Sequence, residues 1–396
     1  MKPVKVADGV WWVGAVDWDT RNFHGYSTMR GSTYNAYLII DDKITLIDTV
    51  KAPFFNEMMA RVSEVVDPAK IDIVVSNHVE MDHSGALPLL MEKLPRAAVY
   101  TSPQGEKGLR LHYKQDWDFH TVKTGDVLNI GRRNLAFVST PMVHWPDNML
   151  TYCPEEKILF SNDAFGEHLA SAERFADEVS LGVVEEEAAK YYANIVMPYG
   201  AQTQKALAAA AGLDIGIIAP SHGLIWRRDV PTVVGWYKKW SADQPENKAV
   251  VVYDSMWHST ETMALRVGDA LERAGVPAKM CNLKTTHVSD IMTAVLFSKF
   301  IFVGSPTLNN GIMPTVSQFL TYLAGLAPKN RVGFAFGSYG WGGQSVGIVD
   351  KIMREAGVEM LDSVRIQYIP DEAQLQSLSA HVEQGVRPYL GTSQTE

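Results

Sequence analysis

The run His78-Val79-Glu80-Met81-Asp82-His83 places four potential metal ligands in six residues. Directly before it stands Ile71-Asp72-Ile73-Val74-Val75, a β-branched run suited to a buried strand, which leads through Ser76-Asn77 into the cluster. Ala86 to Leu94 then follows with apolar residues at helical spacing. Charged and imidazole side chains sent into such a core-like neighbourhood demand a fold that gathers strand ends around one spot, with a cation there to offset them. His78 and Glu80, two apart on extended backbone, point the same way. Asp82 and His83 turn toward a second position as the helix begins, so one stretch can serve two adjacent metals. An exposed polar loop is the plain alternative, and the apolar flanks argue against it.

Three later residues share that context. His144 lies in Pro141-Met142-Val143-His144-Trp145-Pro146-Asp147, Asp163 in Phe160-Ser161-Asn162-Asp163-Ala164-Phe165-Gly166, and His222 in Ala219-Pro220-Ser221-His222-Gly223. Each follows an apolar run with strand character: Leu135 to Ser139, Ile158 to Ser161, and Ile215 to Ala219. Singly, each reads as an ordinary loop residue. Together they point to one site at one edge of a β-rich core, to which Tyr37 to Ile40 and Ile44 to Ile47 add a hairpin across Asp41-Asp42-Lys43. His112, His120, His168 and His381 have no such context and read as surface residues.

The polar segment Ser241-Ala242-Asp243-Gln244-Pro245-Glu246-Asn247-Lys248 separates two textures and reads as a linker, dividing the chain into residues 1–246 and 247–396. Beyond it, Ala249 to Tyr253, Phe300 to Gly304 and Val332 to Phe336 are strands, each followed by a loop rich in small or polar residues and then a helix. That alternation predicts a doubly wound parallel sheet. The first loop carries Ser255, Met256, Trp257, Ser259 and Thr260. The second carries Pro306, Thr307, Asn309, Asn310 and Gly311, and the third Ser338, Tyr339, Gly340 and Trp341. Hydroxyls and amides opening onto a helix N-terminus suit a single phosphate, and the aromatics can hold a flat ring at the strand ends. No GxGxxG occurs, so FMN fits better than a dinucleotide.

Composition narrows the setting. With 46% hydrophobic and 20% charged residues the chain is ordinary globular material, and a net charge of −9 argues against nucleic-acid or anionic-membrane partners. Two distant cysteines, Cys153 and Cys281, exclude a disulfide scaffold, a cysteine zinc site and an in-chain iron–sulfur module. The N-terminus reaches Asp8 too soon for a signal peptide, and no apolar run reaches membrane-spanning length, so the cytoplasm is expected.

The ligand pattern resembles the metallo-β-lactamase fold, whose hallmark HxHxDH is followed by a distant His, Asp and His. Here Glu80 replaces the second histidine. A carboxylate in that place makes the site harder and more anionic, favouring iron over zinc. HxExDH, joined to a flavodoxin-like half, resembles the flavo-diiron family over nearly the whole chain, including Gly14-Ala15-Val16-Asp17-Trp18 and Thr33-Tyr34-Asn35-Ala36-Tyr37. The resemblance implies an α/β protein: an N-terminal αββα domain of metallo-β-lactamase type, then a flavodoxin-like domain whose phosphate loop has His258 where flavodoxins usually carry Gly. It implies two non-haem irons, one held by His78, Glu80 and His144 and the other by Asp82, His83 and His222, with Asp163 bridging. It also assigns His24, Tyr191 and Trp341 to places beside the reacting centre. Electrons would pass from rubredoxin or a similar small donor through FMN to the irons, reducing dioxygen to water or nitric oxide to nitrous oxide, in a head-to-tail homodimer that a dimer of dimers would extend. Two rivals remain open at this point. A zinc metallohydrolase with an accessory flavodoxin-like domain would use a metal-bound hydroxide, and Glu80 and the flavin loops count against it. An electron-transfer protein with a vestigial metal site requires missing ligands, and all seven are present.

Overall fold

The computed structural model describes residues 2–390, which form two compact units. The first takes the described residues up to His24, then Thr28–Tyr191 and Tyr199–Ala242. The second takes Gly25–Ser27, Tyr192–Pro198 and the described residues from Asp243 onward.

In the first unit, among the described residues, one sheet runs in chain order through β1 (Val4–Ala7), β2 (Val10–Trp12), β3 (Tyr37–Ile39), β4 (Ile44–Ile47), β5 (Ile71–Val75), β6 (Ala98–Thr101) and β7 (Phe119–Thr121). The expected hairpin is β3–β4, with Tyr37 opposite Ile47. A second sheet follows in the same way: β8 (Val127–Asn129), β9 (Asn134–Ser139), β10 (Met149–Cys153), β11 (Ile158–Asn162) and β12 (Ile217–Pro220). Alternate residues of both sheets meet in one core. Tyr37, Ile39, Ile47, Ile73 and Val75 come from the first, and Leu135, Phe137, Met149, Cys153, Ile158 and Phe160 from the second. Each such side chain contributes about 1.5–3 kcal/mol by leaving water, which locks the register, because a slip of one residue would turn every one of them outward. The helices of this unit are α1 (Phe55–Val65), α2 (Met81–Ser84), α3 (Leu87–Lys93), α4 (Pro103–Tyr113), α5 (Leu181–Tyr191), α6 (Gly200–Ala210) and α7 (Val230–Ser241). This is the expected αββα sandwich.

The second unit is a parallel sheet. Its strands are β13 (Glu246–Tyr253), β14 (Ala278–Asn282), β15 (Ser298–Gly304), β16 (Val332–Tyr339), β17 (Glu359–Met360) and β18 (Val364–Gln367). They run in the order β14-β13-β15-β16, with β17 and β18 both beside β16, and every pairing is parallel. Helices α8 (Ser259–Arg273), α9 (Val288–Phe297), α10 (Pro314–Leu326), α11 (Gln344–Glu355) and α12 (Glu372–Val386) complete the doubly wound arrangement. Residues Glu246 to Lys248, read from sequence as linker, already belong to β13. Their side chains stay at least partly exposed at the strand's start, so polarity there is no bar to pairing. Among the described residues, no helix is long and apolar enough to cross a membrane.

Candidate functional site

Strands β5, β9, β11 and β12 all deliver their following loops to one end of the sandwich. His78 comes after β5, with Asp82 and His83 in the short α2. His144 comes after β9, Asp163 directly after β11, and His222 after β12. Two groups result: His78, Glu80, His144 and Asp163, and Asp82, His83 and His222. Within each group the potential ligand atoms lie within 4.8 Å of one another. Asp163 faces both. Its Oδ1 is 3.0 Å from His83 Nε2 and 3.5 Å from His222 Nε2, while its Oδ2 is 3.3 Å from His144 Nε2 and 3.7 Å from His78 Nε2. Glu80 closes the first group, with Oε2 3.3 Å from His78 Nε2 and 3.4 Å from His144 Nε2.

The imidazoles are held from behind. His78 Nδ1 lies 2.8 Å from Asp147 Oδ2, which also accepts from the Val79 amide, and His222 Nδ1 lies 2.6 Å from the Thr33 carbonyl. These bonds leave Nε2 of both rings directed at the centre. Burial opposes charge throughout the cluster, yet mutual attraction prevails. His83, beside Asp82 and Asp163, is held at about 9, and His144, beside Asp163 and Glu80, at about 8. Asp163 is held well below the carboxylate range despite its burial, by His83, His144 and His78. Even so, both carboxylate oxygens of Asp82 and Oδ2 of Asp163 are buried without a hydrogen bond, although His222 Nε2 stands 3.0 Å from Asp82 Oδ2. Buried carboxylate lone pairs without donors are costly, and a pair of cations is what this donor set suits.

In the second unit, a cavity of about 540 Å³ opens at the carboxyl ends of β13, β15 and β16, where the strand order reverses. Ser255, Met256, Trp257 and Ser259 line it from the first loop, Pro306, Thr307, Asn309 and Asn310 from the second, and Ser338, Tyr339, Gly340 and Trp341 from the third. Thr260 and Gly311 stand outside the lining. Thr260 is buried with Oγ1 2.8 Å from Ser338 Oγ, and Gly311 closes a turn on Leu308. The buried Ser255 hydroxyl has no hydrogen-bond partner, and the first turn of α8 has no side-chain cap. Both features leave donors for a phosphate. His258 takes a left-handed backbone (φ 66), which explains why glycine is the easier residue there.

Residues 33–223 match the family model described as ODP family beta lactamase, and residues 251–381 match the flavodoxin model. A nitric oxide reductase of Moorella thermoacetica is 45% identical over 382 residues, covering 95% of this chain and 96% of the relative. The rubredoxin-oxygen oxidoreductase of Megalodesulfovibrio gigas is 42% identical over 96% of both chains. Among solved structures, the rubredoxin oxygen:oxidoreductase from Desulfovibrio gigas superposes with a TM-score of 0.96 at 40% identity, covering 98% of each chain. The flavodiiron protein of Giardia intestinalis superposes at 0.95 with 34% identity, covering 98% of this chain and 96% of that one. The chain belongs to the flavo-diiron family.

Within this flavo-diiron fold the remaining sequence candidates take distinct places. His24 puts Nε2 3.1 Å from Glu80 Oε1 and keeps most of its surface in solvent. Tyr191 is fully buried, its ring 5.9 Å from that of His222, and Trp341 is 92% exposed at the flavin cavity. Sequence reading missed four participants. His168, expected on the surface, is completely buried, with Nδ1 2.7 Å from Ser32 Oγ and its ring 4.7 Å from His222. Its contacts are made by residues remote in sequence, so nothing local announced them. Asp147 stood inside the quoted His144 stretch, and its position just after a proline-bounded turn was the available signal. Tyr368 and Ile369 join the flavin cavity from the loop after β18, which carries no Gly- or Ser-rich signature. Among the other histidines, His112 and His120 are exposed, whereas His381 is half-buried and bonded to the Asp362 carbonyl.

Proposed function

We propose that this chain takes electrons from rubredoxin or a similar small protein through FMN to a diiron site, reducing dioxygen to water or nitric oxide to nitrous oxide. The observation that carries the reading is Asp163, whose two oxygens address two separate groups of ligands. His78, Glu80 and His144 would hold one iron, Asp82, His83 and His222 the other, and Asp163 both. Bound there, the irons would supply electrons in pairs, and the flavin would relay them singly. The chain's own part is positional. Asp147 and the Thr33 carbonyl fix two imidazoles, and Tyr191 and His168 back the His222 ring. His24 can hold a proton at Nε2 against Glu80 where solvent reaches it. The iron-binding domain would span residues 1–246 and the FMN domain 247–396, in a cytoplasmic protein.

The working unit is proposed as a head-to-tail homodimer in which Trp341 of one chain stands near the diiron site of the other. Trp257, Trp341 and Ile369, exposed by 88%, 92% and 81% at the flavin cavity, form an apolar rim that favours a partner. Mixed dimers decide the pairing. A chain carrying His78→Ala with Asp163→Ala, joined to one unable to bind FMN, should retain part of the activity, and all lesions on one chain beside an intact one should leave almost none. The reverse order places both cofactors of a working pair in one chain. For the function itself, purified protein should contain about two irons and one FMN per chain. Zinc as the main tightly bound metal, with hydrolase activity and no oxygen consumption, would overturn it.

A further inference from the structure

We propose that an apolar cavity between α6, α7 and the second sheet concentrates the diatomic substrate and feeds it to the metal centre; this rests on the function proposed above. The cavity arises from the sequence of α6. Helices α6 and α7 are pinned together at one end, where a Cβ on Gly200 would come within 2.9 Å of the Ser241 carbonyl and Gln204 Nε2 donates to that same oxygen. Further along, Ala206 and Ala210 of α6, with Ala211 directly after it, are too short to fill the space opposite Val230 and Val234. A gap of about 380 Å³ remains over the outward face of the second sheet.

Its inner wall is the reason to assign it a role. Val143 lines the cavity and is followed by His144, while Ala164 and Phe165 line it and are preceded by Asp163. Two of the residues that face the centre therefore share backbone with the cavity's wall. The polar atoms come from Thr140, Thr203, Tyr237 and Lys238, and the remaining lining is apolar. The space opens to solvent beside Pro231, Gly235 and Lys238, but its apolar floor offers water few partners, and apolar pockets take up small apolar guests, xenon included. Dioxygen and nitric oxide are uncharged, weakly hydrogen-bonding molecules that gain where water gains nothing. The occupant is thus a small gas molecule, delivered from the side of His144 and Asp163.

Crystals of the holoprotein pressurised with xenon test the cavity without recourse to catalysis, and xenon should appear between Ala206 and Val234. Ala210→Phe and Val234→Phe fill the space from opposite helices, so misfolding of one leaves the other. Each should displace xenon and lower kcat/KM for the gas by roughly three- to tenfold, with kcat at saturating gas, iron and FMN content nearly unchanged. Xenon absent from the cavity, or unchanged kcat/KM in folded variants that no longer bind xenon, overturns the proposal alone. A holoprotein that reduces neither gas overturns the functional reading as well, and the two failures are thereby distinguished.

Discussion

The two sites of this molecule are built from opposite materials. At the candidate metal centre the side chains are buried: His78, Asp82, His83, Asp163 and His222 are each at most 3% exposed, and each meets a partner supplied by a different strand end. At the flavin cavity, backbone amides and hydroxyls stand beside aromatic rings, of which those of Trp257 and Trp341 remain almost wholly in solvent. A buried constellation of charge cannot persist unless its ligands neutralise it, so each member depends on the others. An open cavity made of loop backbone tolerates the loss of any one side chain. Substitutions in the first site should be close to all-or-none, and those in the second graded.

The largest effect is expected for Asp163→Ala. Because one oxygen serves each group, its loss should release both metals and abolish gas reduction, while FMN remains bound. Metal analysis with the flavin spectrum checks this, and a full pair of irons in the variant would show that Asp163 does not join the two groups. Asp147→Asn is the next step down. Asparagine with Oδ1 in the place of Oδ2 can still accept from the Val79 amide and from His78 Nδ1, but it lacks the carboxylate's negative charge, so His78 is held more weakly. Metal affinity should fall by roughly 10- to 100-fold, as for other carboxylates that orient a ligating histidine. The first-released iron should be the one near His78. Equal loss of both metals would merge the two groups into a single unit.

The same contrast decides what could be read from sequence. The residues that gather at the candidate metal centre were legible because they follow β-branched or apolar strands at points where His or Asp is otherwise out of place. The sandwich and the parallel sheet were legible because alternation and βαβ rhythm are local patterns. What stayed hidden depends on distant contacts. His168 and its neighbour Glu167 look like loop residues, yet both are completely buried, and Glu167 accepts from the Leu224 amide and is pushed well above the carboxylate range by that burial. Tyr368 reaches the flavin cavity only because β18 pairs with β16, a pairing across more than twenty residues.

Tyr368→Ala tests the graded behaviour of the flavin side. The Tyr368 backbone N–H holds its loop by donating a hydrogen bond of 2.7 Å to the Tyr339 carbonyl, which the substitution keeps, and only the ring is lost. Removing one aromatic ring from the lining should weaken FMN binding by about tenfold, corresponding to about 1.4 kcal/mol. Iron content should not change. Complete loss of FMN would show that a single side chain governs this cavity after all.

The smallest effect is expected for His258→Gly, and its sign is informative. His258 sits at φ 66 and ψ −10, immediately before α8, with Nδ1 2.7 Å from Glu261 Oε2 in a largely exposed pair. A residue with a Cβ is strained in this conformation by about 1–2 kcal/mol. Glycine removes that strain but gives up roughly 0.5–1 kcal/mol through the greater freedom of its unfolded chain. The exposed pair with Glu261 contributes at most about 1 kcal/mol and often much less. The balance is a gain of a few tenths of a kcal/mol or no change, read as an equal or slightly higher denaturation midpoint with FMN affinity within twofold. If His258→Gly instead loses FMN, the imidazole itself contacts the flavin's phosphate, and this loop is not the backbone-built cradle that separates it from the metal centre.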